Sequence, residues 1–389
     1  MYKIQTLNKI SSKGLERLEA DRYGILGETD TDRPDAVLLR SYNMHDMELP
    51  PSLAAIARAG AGVNNIPIDK CSEQGIVVFN TPGANANAVK ELTIAALLLS
   101  NRKIVQGIEW AKTLKEESSS VAKLVEKGKS SFAGPEMKGK KLGVIGLGAI
   151  GVMVANAAKA LGMEVEGFDP YISVDAAWGL SRGVKKALDL QTLFETSDYI
   201  TLHLPLLEET KNMVNEEKFS WMKKGVRLLN MSRDGLVNNK DLKKAIEDGI
   251  VETYVTDFPN ADLLALDHVI PIPHLGASTP ESEENCAVMA AEQLKDFLEN
   301  GNIINSVNYP ACELNRVSDY RITLANKNIP NMVGQISTVL ANEHINILNM
   351  LNRSSGEYAY TIIDIDRSVG KEVIDKLQSI NGVLSVRVL

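Results

Sequence analysis

The sequence is short of cysteine. Cys71, Cys286 and Cys312 are the only three in 389 residues, odd in number and widely spaced. That excludes a disulfide framework and the paired spacing of a zinc centre, so no metal site is expected. It suits a reducing compartment, and a cytoplasmic location is expected. Long apolar runs are missing too. The longest, residues 94–99, falls far below the ~20 residues that span a bilayer, so no membrane partner is expected. The opening MYKIQTLNKI has no apolar signal core. An excess of positive charge is also absent. Lys and Arg number 42 against 50 Asp and Glu, a formal charge of −8, which repels phosphate backbones and argues against a nucleic-acid partner.

What is there reads as an ordinary folded chain, with 44% hydrophobic and 24% charged residues. Its length gives a prior of two to three domains. Through the first 310 residues short apolar runs alternate with helical patterns. DAVLLRS (35–41), GIVVFNTPG (75–83), KLGVIGLG (141–148), EVEGFDP (164–170), YITLHLP (199–205), VRLLNMS (226–232) and TYVTDF (253–258) read as strands. Residues 88–104, 150–162 and 238–248 read as helices. This alternation predicts an α/β fold with a parallel sheet covered on both faces. Residues 115–141 are polar and Lys-rich and read as a solvated connection. NYPACELNR (308–316) reads as a linker, and the pattern after it is βαββαβ.

Gly146-Leu147-Gly148-Ala149-Ile150-Gly151 is a GxGxxG motif with a strand before it and a helix after it. Gly146 permits the turn, Gly148 lets backbone approach a pyrophosphate, and Gly151 lets helix and strand pack closely. Asp169, eighteen residues after Gly151, ends the next strand, where an acid bonds a ribose 2′-hydroxyl and repels a 2′-phosphate. NAD is therefore the expected cofactor.

Hydride transfer from an alcohol needs a base for the hydroxyl proton, and histidine titrates in the right range. Of five histidines, His203 and His274 each follow a strand, and position alone leaves them tied. Arg233 follows another strand and has the planar fork that clamps a carboxylate. Asp257 and Asp262 follow a third, and a carboxylate beside histidine favours imidazolium.

Several segments together carry a resemblance: ARAGAGVNNI (57–66), residues 75–99, KLGVIGLGAIG (141–151), HLPL (203–206), NMSRDGLV (230–237) and PHLGAST (273–279). With these the chain resembles the D-isomer-specific 2-hydroxyacid dehydrogenases over nearly its whole length. The resemblance implies a catalytic set of Arg233, Asp262 and His274, with Asp262 in place of the usual Glu. It also sets Asn64 where Asp is usual and Asp234 where Gly is usual. It implies a Rossmann-type NAD domain over 93–276, inserted into a flavodoxin-like substrate domain formed by 1–92 and 277–310. Cofactor contacts are implied at Gly146, Gly148, Ala149, Ile150, Gly151, Asp169, Leu204, Met231, Ser232, Arg233, Asp257, His274 and Gly276.

The implied substrate is a phosphorylated 2-hydroxyacid, 3-phosphoglycerate, met by Arg40, Arg58 and the amides of Ala61 and Gly62. Lys127 and Lys129 are further candidates for its phosphate. Residues 317–389 resemble an ACT domain, a ferredoxin-like small-ligand sensor. The resemblance implies L-serine as effector, with Asn326, Asn328 and Asn346 as its contacts. Asn326 stands where His is usual, and Asn331 where Gly is usual. A homodimer or homotetramer is implied. Two other readings remain open: a dehydrogenase or reductase for hydroxypyruvate or glyoxylate, and a non-catalytic NAD-binding regulator.

Overall fold

The computed structural model describes residues 1–30, 33–116 and 120–389. Residues 117–119 of the Lys- and Ser-rich connection lie outside it. The chain divides into two compact units, Met1–Asn85 with Pro280–Leu389, and Ala86–Thr279. The second unit thus runs from 86 to 279, against 93 to 276 expected. The whole helix Ala86–Asn101 belongs to it, with Val89, Ala96 and Leu97 buried in its core.

The first unit opens with a parallel sheet of β1 (Tyr2–Leu7), β2 (Tyr23–Leu26), β3 (Ala36–Leu39), β4 (Ala55–Arg58) and β5 (Val77–Phe79). Its order, β2-β1-β3-β4-β5, is the flavodoxin-like winding. All four residues of β3 are buried, as an apolar run covered on both faces must be. The helix Pro280–Asn300 lies along this sheet. Its small residues Ala287, Ala290 and Ala291 allow close approach, and a Cβ on Gly14 would stand 2.7 Å from Ala287.

The second unit holds β6 (Lys141–Ile145), β7 (Glu164–Phe168), β8 (Val184–Lys186), β9 (Tyr199–Leu202), β10 (Val226–Asn230), β11 (Val251–Thr256) and β12 (Val269–Pro271). They form one parallel sheet in the order β12-β11-β10-β9-β6-β7-β8, the doubly wound nucleotide-binding order. The winding reverses between β6 and β9, the place where such sheets bind ligands. The strand ends are in register: Ile145 lies opposite Phe168 and Leu202, and Asn230 opposite Leu202 and Thr256. Whatever follows each strand therefore emerges along one edge.

The Lys-rich connection is not wholly irregular. It contains the helix Val121–Gly128, whose Val121, Leu124 and Val125 form a short apolar stripe. Trp110 and Phe132 pack beside it with ring centroids 5.1 Å apart. Lys129 pairs with Glu126 and is exposed, as is Lys127.

The first unit closes with an antiparallel sheet of β13 (Tyr320–Lys327), β14 (Ile347–Ser355), β15 (Tyr358–Ile365) and β16 (Val383–Val388), ordered β14-β15-β13-β16. Strand alternation splits its side chains. Ile322, Leu324, Ile363 and Ile365 pack with the helices Met332–Asn342 and Lys371–Gln378. Ala325, Tyr360 and Ile362 turn the other way, into the core that holds Phe297 and Leu298 of the long helix. That shared core is why residues 317–389 group with the first unit.

Three arginines complete the join. Arg387 donates to the carbonyls of Phe297 (3.1 Å) and Leu298 (3.0 Å), and its guanidinium lies 4.4 Å from the Phe297 ring centroid. Arg316 donates to Glu299 (3.1 Å) and Arg321 to Asn300 (2.7 Å). The last four carbonyls of a helix have no partner within it, and here all four receive guanidinium donors. Arg321 also grips Asp364 through Nε–Oδ1 (2.6 Å) and Nη2–Oδ2 (3.0 Å), with both side chains fully buried.

Candidate active site

The glycine turn follows β6. Gly146 has φ +91°, and a Cβ there would strike the His203 carbonyl. A Cβ on Gly151 would collide with the carbonyl of Gly146. Gly148 differs. Its φ of −73° suits any residue, and a Cβ there would meet nothing within 4 Å. No protein neighbour demands glycine at that point. The open space lies at the start of the helix Ala149–Ala160, whose free amides favour a negative group. The turn therefore fits a pyrophosphate. Asp169, past β7, accepts from the Leu147 amide through Oδ2 and the Tyr171 amide through Oδ1, both at 2.8 Å. Asp169 thus ties the glycine turn to the end of the second strand.

Past β9, His203 shares a hydrogen bond with Thr201 Oγ1 at 3.0 Å through Nε2, while Nδ1 is buried without a partner among the described residues. Burial pushes its pKa down to about 4. A histidine held neutral inside the sheet edge is a poor proton carrier near neutral pH. His274, by contrast, is exposed. Leu204, next along, packs on the core beneath.

Past β10, Asn230 shapes the loop, a role its place in NMSR did not announce. Its Oδ1 accepts from Ser232 N (3.1 Å) and its Nδ2 donates to the Arg233 carbonyl (2.9 Å). Ser232 Oγ donates to the Leu202 carbonyl at 2.6 Å, Met231 is buried, and the Arg233 guanidinium is exposed.

Past β11, Asp257 is only 1% exposed. Its Oδ2 accepts from Gly276 N at 3.3 Å, while Oδ1 has no partner among the described residues. Burial raises its pKa, and the charges of His274 and Arg233 pull it back down. An orphaned acceptor of this kind fits a donor supplied by a ligand. Phe258, the next residue, packs on the His274 ring with centroids 4.7 Å apart. Asp262 is placed differently. It lies exposed in the first turn of the short helix Ala261–Leu264, whose amide at Leu263 is capped by Asn260. Among the described residues it makes no hydrogen bond or ion pair with His274. The charge of His274 instead acts on buried Asp257.

In the first unit, Arg40 follows β3 and Arg58 ends β4. Arg58 Nε donates to the Arg40 carbonyl at 2.9 Å, and its guanidinium lies over Gly60, close to Gly62. Asn80 Nδ2 holds the Ala61 carbonyl at 2.7 Å. In the C-terminal sheet Asn326 is fully buried and donates to the Lys327 carbonyl, with Oδ1 unpartnered among the described residues. Asn328 donates to the Gly356 carbonyl at 3.0 Å, and the Asn346 side chain is exposed. Asn331 has φ +67°, a conformation Asn tolerates better than most residues. No helix among the described residues is long and apolar enough to cross a membrane.

Residues 94–276 match the family described as D-isomer specific 2-hydroxyacid dehydrogenase, NAD binding domain. The chain is 35% identical to the D-3-phosphoglycerate dehydrogenase of Methanocaldococcus jannaschii over 328 residues, 82% of this chain and 59% of that one. It is 29% identical to the D-3-phosphoglycerate dehydrogenase of Haemophilus influenzae over 355 residues, 88% of this chain and 83% of that one. An NAD+-bound 3-phosphoglycerate dehydrogenase structure from Entamoeba histolytica aligns at TM-score 0.60 and 26% identity, covering 79% of this chain and 98% of that one. The chain spans roughly three fifths of the length of the first curated relatives it matches. Residues 94–276 are a D-isomer specific 2-hydroxyacid dehydrogenase NAD-binding domain.

Proposed function

We propose that this protein oxidises D-3-phosphoglycerate to 3-phosphooxypyruvate with NAD. The observation that carries the reading is the convergence past adjoining strands of Arg233, Asp257 and His274, with Asp257 feeling both opposite charges. The curated relatives named above support the substrate. NAD, when bound, supplies the acceptor for the C2 hydride.

The chain's own residues do the rest. Gly146, Gly148 and Gly151 with the amides of Ala149 and Ile150 hold the pyrophosphate, and Asp169 the ribose. Leu204, Met231, Ser232 and Gly276 line the remainder of the cofactor site. His274 takes the proton of the 2-hydroxyl and returns it in the reverse direction. Asp257 favours the imidazolium so formed. Asp262 is a second, solvent-side acid. Arg233 holds the carboxylate and the developing carbonyl. Arg40 and Arg58 receive the phosphate end, and the amides of Ala61 and Gly62 form a nest for the carboxylate.

In the same reading the chain forms three functional regions in a cytoplasmic homodimer or homotetramer. The ACT-like sheet takes L-serine at Asn326, Asn328 and Asn346. An NADH-consumption assay with 3-phosphooxypyruvate, with and without L-serine, tests the proposal. Turnover on 3-phosphooxypyruvate is expected to exceed that on hydroxypyruvate and glyoxylate, and serine to depress it. A preference for the unphosphorylated acids would overturn the substrate assignment. NADH binding without turnover on any of them would point to a regulator.

A further inference from the structure

Arg40 already has an anion. Its Nη1 lies 2.5 Å from Glu283 Oε1, in the first turn of the helix Pro280–Asn300. The neighbouring acid, Glu284, is engaged by Lys13, so Glu283 is the one that meets Arg40. The Arg40 backbone is pinned separately, its carbonyl accepting from Arg58 Nε (2.9 Å) and Asn65 Nδ2 (3.2 Å). The guanidinium can therefore change partner without disturbing β3. The two side chains are 36% and 48% exposed, which makes a weak ion pair that a competing anion can open.

We propose that Glu283 is a built-in competitor at the anion subsite, setting how strongly Arg40 holds a phosphate. The proposal rests on Arg40 as the phosphate contact of the function proposed above. Glu283 carries one negative charge, whereas a phosphate monoester carries about −1.5 to −2 near pH 7, so the phosphate displaces it from the guanidinium. A phosphorylated substrate offsets the cost of displacement through its carboxylate and carbonyl contacts. Free inorganic phosphate has no such contacts. Glu283 thus keeps the subsite clear of inorganic anions and eases release of the phosphorylated product.

The test is a double-mutant cycle of Glu283→Gln and Arg40→Gln. Calorimetric titration with inorganic phosphate needs no turnover and is the primary reading. Glu283→Gln should tighten phosphate binding by about 2- to 5-fold, and that gain should vanish on the Arg40→Gln background. In kinetics, the KM for 3-phosphooxypyruvate should fall by a similar factor while the KM for hydroxypyruvate stays put. Equal phosphate affinity in wild type and Glu283→Gln overturns the proposal. So does a gain that persists without Arg40. A coupled gain in an enzyme that does not turn over 3-phosphooxypyruvate would leave the competitor standing and remove the proposed substrate.

Discussion

The His274 imidazole lies against the Phe258 ring with centroids 4.7 Å apart and planes inclined by 49°. The ring proposed to carry the proton is thus oriented by aromatic packing from the residue next to Asp257. His274→Ala is expected to lower turnover by about 10²- to 10⁴-fold. NADH binding, followed by fluorescence, should stay nearly intact. Phe258→Ala should cost less, because the base survives and only its orientation loosens. Wild-type turnover in His274→Ala would remove the assignment.

Asp257 separates stability from activity. Burial opposes its ionisation, and the neighbouring positive charges only partly compensate. A raised carboxyl pKa means that holding the charge at neutral pH costs folding free energy. Asp257→Asn should therefore melt no lower than wild type while losing turnover. Asp262→Asn, changed at an exposed site, should lose far less turnover. The reverse order of effects would return the acid role to Asp262.

Gly148 and Gly151, the second and third glycines of the motif, should fail in different ways. Gly148→Ala adds a methyl that meets no protein atom, so thermal stability should hold while NADH affinity falls. Gly151→Ala forces a methyl against the Gly146 carbonyl and should cost about 1–3 kcal/mol of stability. Thermal melts paired with NADH titrations distinguish the two.

His203 predicts acid sensitivity. Its pKa is lowered by burial from 6.5 to about 4, so the unfolded chain binds its proton more readily than the folded one. The stability held by the neutral ring is complete above pH 6.5 and is lost as pH falls towards 4. At 1.36 kcal/mol per unit this amounts to about 3 kcal/mol at most. Denaturant melts of wild type and His203→Gln between pH 7 and 4.5 should show a shallower slope in the variant.

The buried pair of Arg321 and Asp364 should be costly to break from one side. Arg321→Met leaves the Asp364 charge buried and uncaps the Asn300 carbonyl. Chemical denaturation should register a loss of about 3–5 kcal/mol. A loss below 1 kcal/mol would mean that water replaces the guanidinium.

The nucleotide half of the site was readable because apolar runs end in chemistry. Each strand from β6 to β11 other than β8 stops within two residues of a group singled out from the sequence. β8, with the sequence VKK and little burial, has no such pattern and went unseen. The helix Val121–Gly128 hid for a related reason, since its three-residue apolar stripe is outnumbered by lysine, serine and glutamate around it. The resemblance placed an acid at 262, whereas the burial of Asp257 and the capping of the Ala261–Leu264 helix by Asn260 depend on packing that spacing does not encode. The guanidinium grip was illegible because its acceptors are backbone carbonyls, which every residue possesses.

The discontinuity of the first unit constrains when its parts can be completed. The helix Pro280–Asn300 is needed to cover the sheet built by the first 85 residues, and its own end is finished by Arg387 in β16. Domains usually complete themselves from the N-terminus as they leave the ribosome. Here the earliest strands lack their covering helix until residues 280–300 arrive, and that helix lacks its end caps until residues 316–387 arrive, while the intervening unit, 86–279, is free to complete first. The first part of the chain to be made is therefore the last to be sealed.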